Sequence, residues 1–557
     1  MFNYIYDFSI VMGYYNRKNQ LINTLNMFEN KYKNYNYEVI IVDDNSSDNH
    51  KLNDISSNYT FPLTIIEISS FEKGNRINPC VVYNKGFRIA RGKYVIIQNP
   101  ECIHVGDLLN FIKKNLTEKD YMAFSCYNTN SQELAKNLLN NLNLINDSNF
   151  RNINRKNGME WYNHPNIRAS CYHFCAAMYN DNLKLLGGFD EEFSKGHSFD
   201  DNEILLSIRK NLKLNIKCID PNVGFVIHQW HGRDAESKYS KVEFNKMLKH
   251  NQNLYETYVR KHNEYNFNYP KLLHLYWDGS NFSYLNLLTV LSFNKHHFGW
   301  KINIYCPINP VKNKSWSGSE QKTEYIGKNY FDQLKNINNV FIHNIDFNIL
   351  PFKFQDASEV IKSDFFRLYV LNKFGGLWSD FDIVYVNNIE EYYHKKQLNT
   401  EKNVVLFRYL WKEVNRNIYP VGLFLCNSNN SIFNVILNNI HLFYNKSQYQ
   451  CLGCNMFHVL FSSEQGKSII SNMKLSEIFI DDANCYLPIK WNETQMLYND
   501  KSIKKDQYQN NKDIIGIHWF NGAKESKDYC NKLDNNMLNN NLENECLMDK
   551  FVKEYYK

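Results

Sequence analysis

The chain has 557 residues, 43% hydrophobic, 15% aromatic and 22% charged, with a formal net charge of +6. That length holds three or four average domains or fewer large α/β ones, with enough apolar material for a core in each. The mild positive balance suits small anionic ligands, and no basic block or basic-aromatic stripe argues for nucleic acid.

The opening MFNYIYDFSIVMGYYNRKN lacks the basic region and cleavage site of a secretory signal, and no apolar run reaches the length of a membrane span. Thirteen cysteines without a dense framework read as reduced thiols, so a cytoplasmic, non-secreted protein is expected, in a bacterium or in the host cytoplasm of a giant virus. Cys451 and Cys454, and Cys171 and Cys175 around His173, are read as ordinary thiols because zinc would need a second ligand pair.

Residues 8–17 read as a strand running into a polar loop with Tyr15 and Arg17, and Asn19 to Lys31 as a helix with Leu21, Leu25 and Phe28 inward. Residues 37–48 are a buried strand ending in Asp43 and Asp44, and PLTIIEIS is a third strand. A helix over 78–92 stops at Gly92, and 93–101 is a fourth strand. Alternating strands and helices predict a mostly parallel α/β sheet, whose ligands sit beyond the carboxyl ends of the strands, where Asp43, Asp44, Asn99 and Glu101 fall.

Between about 235 and 265, Phe244, Met247, Leu248, Tyr255, Tyr258 and Val259 recur at helical spacing, which predicts an amphipathic helix closing a first domain of residues 1–234. A second domain opens at Pro270, with strands at 270–279 and 301–307, and runs to 525. The tail, 526–557, rich in Asn, Lys and Glu, reads as a peripheral helix or partly disordered.

Inside the second domain, IKSDFFRLYVLNKFGGLWSDFDIVYV predicts a helix capped by Ser363, with Asp364 in its first turn and Arg367 on the same face, ended by Gly375 and Gly376. Asp380 and Asp382, two apart on extended chain, point to one side while Phe381 and Ile383 face the core. Two carboxylates aimed at one point repel, and a hard divalent cation with a diphosphate would resolve that.

This stretch closely resembles the DXD region of family-32 glycosyltransferases and their relatives, including the glucosylating bacterial toxins; PKLLHLYWDG resembles their opening strand and GIHWFNGAKES their closing His-Trp segment. The resemblance implies that Trp277 stacks on the nucleotide base and that Asp364 and Arg367 hold the donor sugar. It also implies that Asp380 touches the ribose, sugar or metal shell, Asp382 ligates the metal, His518 is a further metal or phosphate contact, and Trp519 closes over the diphosphate. Family members retain anomeric configuration, so no base is assigned in this half.

In the first half, SIVMGYYNR, YEVIIVDDNSSD and GGFDEEFSKGHSFDDNEILLSIRK resemble the inverting family-2 glycosyltransferases. The resemblance implies that Asp201 is the general base, with Asp200 and Glu203 orienting it, that Asp43 or Asp44 reads the uracil edge, and that Tyr15 and Arg17 line the base. His228 or His231 would be a metal ligand. Where that family has D-x-D, this chain has Asn99-Pro100-Glu101; Glu101 can still ligate a cation, Asn99 can bond a ribose or water, and His104 and Asp107 stand close by to compensate.

The two resemblances imply tandem GT-A type α/β domains and a metal-dependent hexosyltransferase. Its donors would be nucleotide sugars, UDP-sugars first, with Mn²⁺ or Mg²⁺. The acceptor would be a glycan, glycoprotein or lipid-linked sugar, with no nucleic acid and no membrane span involved. The alternative is one active C-terminal transferase beside a degenerate binding module. Loops 309–330 and 410–425 are expected to shape the donor pocket.

Overall fold

The computed structural model describes residues 2–53, 55–129, 131–140, 161–232, 239–311, 324–354, 357–398, 402–538 and 546–556. The chain divides into two compact units, Phe2–Arg260 and Lys261–Lys557. The expected boundary at 234 and most of the loop 309–330 fall outside the described residues. No described helix is long and apolar enough to cross a membrane.

The first unit is a mixed sheet flanked by helices. Strands β1 (Tyr6–Tyr14), β2 (Tyr37–Asp43), β3 (Leu63–Glu67) and β4 (Gly92–Gln98) pair in parallel in the order β3-β2-β1-β4. Both faces are covered, so β2 reads YEVIIVD and is buried throughout. Beyond β4 the order continues β8-β6-β10-β5, using β5 (Cys102–Val105), β6 (Asp120–Asn128), β8 (Cys175–Tyr179) and β10 (Phe225–His228); β7 (Trp161–Asn163) and β9 (Asn215–Ile219) also pair with β6. β4–β8, β6–β8 and β5–β10 are antiparallel.

The amphipathic helix spans Lys241–His262. Its Asn251 amide donates to the carbonyls of Phe193 and Ser198, at 2.9 and 2.8 Å, and the Tyr258 hydroxyl to Asp190 at 2.7 Å. It therefore braces the 190–199 turn that leads into the acidic helix Asp200–Lys210.

The second unit repeats the plan. β11 (Leu272–Tyr276), β12 (Lys301–Pro307), β13 (Val340–Ile345) and β14 (Gly376–Ser379) are parallel in the order β13-β12-β11-β14. The sheet continues antiparallel through β18 (Leu423–Cys426), β16 (Val404–Trp411) and β17 (Arg416–Ile418), with β19 (Ile478–Asp482) parallel to β16. A separate antiparallel pair joins β15 (Ile383–Tyr385) to β20 (Gly516–His518).

Three details differ from the sequence reading. The helix carrying Asp364 and Arg367 spans Glu359–Phe374 and is capped by Ser358, whose side chain accepts from the Ile361 amide, so Ser363 and Asp364 lie in its second turn. Asp380-Phe381-Asp382 is a turn between β14 and β15, not extended chain. The tail is part of the core: Cys530, Leu533, Leu547, Met548, Phe551 and Val552 are all buried in the cluster that contains Trp519 and Tyr385. Its polar composition hid this because helical spacing gathers the few apolar residues onto one face. Phe551→Ala should accordingly lower the stability of the second unit by about 3–5 kcal/mol, seen as an earlier urea transition. A change under 1 kcal/mol would mean the tail is peripheral after all.

Candidate active sites

In the second unit, Gly375 (φ +70) and Gly376 (φ +102) turn the chain from helix into β14. A Cβ on Gly376 would meet the Leu272 carbonyl oxygen at 2.5 Å, so glycine is required for this close approach. The turn places Asp380 beside the helix. Arg367 Nη2 lies 2.9 Å from Asp364 Oδ1 and 3.6 Å from Asp380 Oδ1, and its guanidinium stands over the Trp378 ring. The Trp378 indole donates to Asp380 Oδ1 at 3.0 Å, and the Asp380 amide to the Gly422 carbonyl at 2.8 Å.

Strand pairing of Ile383 with His518 brings the closing segment to the turn. His518 Nε2 lies 3.1 Å from Asp382 Oδ1, and the Asn521 amide donates to Asp382 Oδ2 at 3.0 Å. Asp364, Arg367, Asp380, Asp382, His518 and Trp277 all line one cavity of about 560 Å³.

Charge in this cavity is only partly balanced. Burial pushes the Asp364 carboxyl up to about 6 against the pull of Arg367. Burial and then Asp382 hold Asp380 above the ordinary carboxylate range, again against Arg367. Burial works the same way on Asp382, but His518, the Asn521 amide and Lys527 together hold that group below the ordinary range. Asp364 Oδ2 is buried without a partner. These carboxylates and the imidazole open onto one cavity, but among the described residues no three of their ligand atoms gather within 4.8 Å of one another, so a divalent cation would have to draw them closer.

Trp277 keeps one edge on the cavity, with its indole donating to the Ser280 carbonyl at 2.8 Å and its ring edge-on to Phe282 and Phe381. Trp519 does not match the expectation. It is fully buried in the core and does not line the cavity. His518 is the member of this segment that turns inward to Asp382, and its successor turns away; Phe520, at φ +56, returns to the cavity wall. Gly422, in the 410–425 loop expected to shape the pocket, lines the cavity, as do Tyr486 and Lys527, which nothing local in the sequence marked. Cys454 lines it too, as a thiol that burial pushes up to about 12.

In the first unit, the residues after β4 and β10 converge. Glu101 is fully buried, with its Oε1 2.6 Å from Arg17, 3.0 Å from His228 Nε2 and 3.4 Å from His231 Nε2. Burial would raise this carboxyl, but Arg17 and then His228 hold it well below the ordinary range. Glu101, His228 and His231 each offer a ligand atom within 4.8 Å of the others, and Glu101 Oε2 is buried with no partner. One carboxylate and two imidazoles suit a Mn²⁺-like ion better than Mg²⁺, which prefers oxygen.

His104 and Asp107 do not compensate for the Asn-Pro-Glu variant. β5 pairs with β10, and its alternation sends His104 into the core. There Tyr32 and Gln98 take both ring nitrogens, and burial pushes the imidazole down to about 3. Asp107 caps the helix Leu108–Asn115.

Of the two acids ending β2, Asp44 is taken by Lys73 and Arg76, at 3.0 and 2.6 Å. Asp43 accepts from the Ser46 amide at 2.9 Å and keeps Oδ2 buried without a partner. Burial holds it above the ordinary range. Lys73 stands 3.5 Å over the Tyr15 ring.

Asp201 is the second residue of the helix Asp200–Lys210, behind Ser198 and Phe199, two consecutive non-glycine residues with left-handed backbone. Such strain collects at functional sites. Asp201 Oδ1 lies 2.5 Å from His173 Nδ1 and accepts from the His173 amide at 3.1 Å. Burial would lower the His173 imidazole, but Asp201 outweighs it and the pKa is raised. Asn99 is joined to this group through Tyr83, whose hydroxyl donates to Asn99 at 3.1 Å and whose ring stands edge-on to His173 at 5.1 Å. His173 was legible only as a residue between two cysteines; Cys175 instead lies 3.7 Å from His104. Glu203 accepts from Ser207 and from the Asp190 amide, so it steadies the preceding turn.

Asp200 accepts from Asn78 at 3.0 Å, and burial followed by Asp201 pushes it up to about 6. A raised carboxyl binds its proton more tightly folded than unfolded, so its contribution is present at low pH and lost as pH rises from about 4 to about 6. Asp200→Asn should therefore leave the first unit unchanged at pH 4 and stabilise it at pH 7, by on the order of 1–3 kcal/mol. Equal melting shifts at both pH values would contradict this.

Two stretches of the chain match known families. Residues 9–183 match the model for glycosyl transferase family 2, and residues 313–404 match the model for the glycosyltransferase sugar-binding region containing the DXD motif. The first unit thus carries a match to a family-2 glycosyltransferase domain and the second a match to a DXD-type glycosyltransferase region, each on a mixed, mostly parallel α/β sheet.

No curated protein matches the chain. Among solved structures, it is similar to the mannosyltransferase PcManGT from Pyrobaculum calidifontis in complex with GDP-Man and Mn²⁺, at 16% identity and TM-score 0.30, covering 46% of this chain and 65% of that one. It is also similar to S. aureus TarS 1-349 in complex with UDP-GlcNAc, at 17% identity and TM-score 0.29, covering 46% and 66%. A third, the PaToxG glycosyltransferase, has 17% identity and TM-score 0.22, covering 39% and 78%. The chain spans less than two thirds of the mannosyltransferase's length.

Proposed function

We propose that the chain is a two-headed glycosyltransferase that uses nucleotide-sugar donors, UDP-sugars first, to extend a glycan, glycoprotein or lipid-linked sugar. The observation that carries this is a separate acidic site in each unit, at the carboxyl ends of its parallel strands, where ligands bind in such sheets.

In the first head, Asp43 Oδ2 is the acceptor left open for the uracil N–H, Tyr15 lines the base and Asn99 meets the ribose. Asp201 takes the acceptor hydroxyl proton as that oxygen attacks the anomeric carbon from the face opposite the leaving diphosphate, which inverts the configuration. His173, whose backbone N–H donates to Asp201 Oδ1 at 3.1 Å and whose Nδ1 lies 2.5 Å from it, holds that carboxylate in place. Glu101, His228 and His231 would hold the cation.

In the second head, Trp277 lies against the base, Asp364 and Arg367 hold sugar hydroxyls, and Asp380, Asp382 and His518 would hold the cation. Retention there needs no separate base. Mn²⁺ or Mg²⁺, when bound, neutralises charge on the departing diphosphate. A cytoplasmic location belongs to this proposal.

A second reading has one observation in its favour. The Arg17 guanidinium already places a cation on Glu101, in a segment where Asn-Pro-Glu replaces Asp-x-Asp. The first unit would then be a binding module. NMR of the products separates the two readings. Two heads give one inverted and one retained linkage, whereas a retained linkage alone identifies the first unit as a module.

A further inference from the structure

The first unit holds a pair of thiols that none of the chemistry above uses. Cys218 stands on β9, half-buried beside the exposed Lys217, and Cys171 lies two positions before His173. Asn163, at the end of β7, joins them. Its amide nitrogen donates to the Phe124 carbonyl at 2.8 Å, while its Oδ1 accepts from the Cys171 amide at 2.9 Å and stands 3.5 Å from the Cys218 sulfur. The two thiols also hydrogen-bond each other. That bond, with Arg209 adding to it, holds the Cys171 thiol below the ordinary cysteine range against burial. A thiol that gives up its proton readily is the better nucleophile, because the thiolate is the form that attacks.

Cys171 is strained as well, with φ at +57, which a non-glycine residue adopts at a cost. The same stretch of backbone continues to His173, whose amide and ring both meet Asp201. A second hydrogen-bonded thiol pair, Cys102 and Cys126, provides a contrast: both of its members are 0% exposed, whereas Cys218 opens to solvent.

The geometry points to Cys171 and Cys218 as an oxidation site, where a small peroxide joins the two in a disulfide and the closure draws His173 off Asp201 and slows the first head. The effect on turnover rests on the transferase reading; formation of the bond does not. The Cys218 sulfur takes one peroxide oxygen: S–O forms as O–O breaks, and the first water leaves. The Cys171 thiolate then attacks that sulfur, S–S forms as S–O breaks, and the second water leaves. Two thiols are oxidised and one peroxide is reduced. Bonded sulfurs stand about 2.05 Å apart, well inside hydrogen-bond separation, so the segment ahead of His173 must move toward β9. A misplacement of about 1 Å in a reacting group costs on the order of 10²-fold.

The test treats the full chain with one equivalent of hydrogen peroxide, alkylates the remaining thiols, maps them by mass spectrometry and measures both linkages before and after. Two of the thirteen thiols should be lost, in one cross-linked peptide pair carrying Cys171 and Cys218. The inverted linkage should fall at least tenfold and return with dithiothreitol, and the retained linkage should not change. Cys218→Ser and Cys218→Ala should form no cross-link and keep the inverted linkage under peroxide. The proposal is overturned if no cross-link forms, if Cys102 and Cys126 are joined instead, or if the expected cross-link leaves the inverted linkage within twofold of its reduced value. Absence of that linkage from the reduced protein would defeat the transferase reading of the first unit, and the cross-link alone would then decide the oxidation site.

Discussion

Asp382→Ala is expected to remove the retaining linkage and leave the inverting one. Asp382 is the acid of the DXD turn that His518 and the Asn521 amide address directly, so its loss takes away a proposed cation ligand and frees the closing segment. A bound cation contributes several kcal/mol of stabilisation to a departing diphosphate, and each 1.36 kcal/mol is tenfold in rate. A fall of at least about a thousandfold in that head's turnover follows from those two figures. Asp382→Asn keeps the shape of the turn and should lose nearly as much, which separates lost charge from lost folding. Product analysis of each variant checks both.

The second large effect is at Asp201. Asp201→Asn keeps the size of the side chain and its place 2.5 Å from His173, but it cannot take a proton. General-base catalysis is worth about 10²–10⁴-fold, so the inverting transfer should fall by that factor. Binding of the nucleotide to the first head should change little, because Asp43, Asn99 and Glu101 are untouched. Turnover within threefold of wild type would move the base elsewhere, and the retained linkage should persist throughout.

Much of this arrangement was legible because it is local. Strand ends are marked by apolar runs breaking into acids, as at Asp43 and Asp44. The Gly375-Gly376 stop and the order of the closing segment pointed to Asp380, Asp382 and His518 in the sequence, although the turn that carries the two acids was read as extended chain. Properties set by distant partners were not legible. Asp43 and Asp44 look alike in sequence, and only Lys73 and Arg76, folded over from another segment, show that Asp44 is consumed. His518 and Trp519 are neighbours, and which one turns inward depends on the register of β15 with β20. His173 reaches Asp201 across 28 positions, and Asn251 reaches the turn before Asp200 from the closing helix. The cap at Ser358 lay one turn ahead of the expected Ser363, because both serines precede apolar residues at helical spacing and only the observed bond to Ile361 decides between them.

The most direct measurement of the central claim is nucleotide release with product analysis, on a panel of UDP-, GDP- and dTDP-sugars with Mn²⁺, for wild type, Asp382→Ala and Asp201→Asn. Two independent heads predict that wild type makes two linkages and that each variant loses a different one. Loss of both linkages in a single variant, or survival of both in each, would contradict the account.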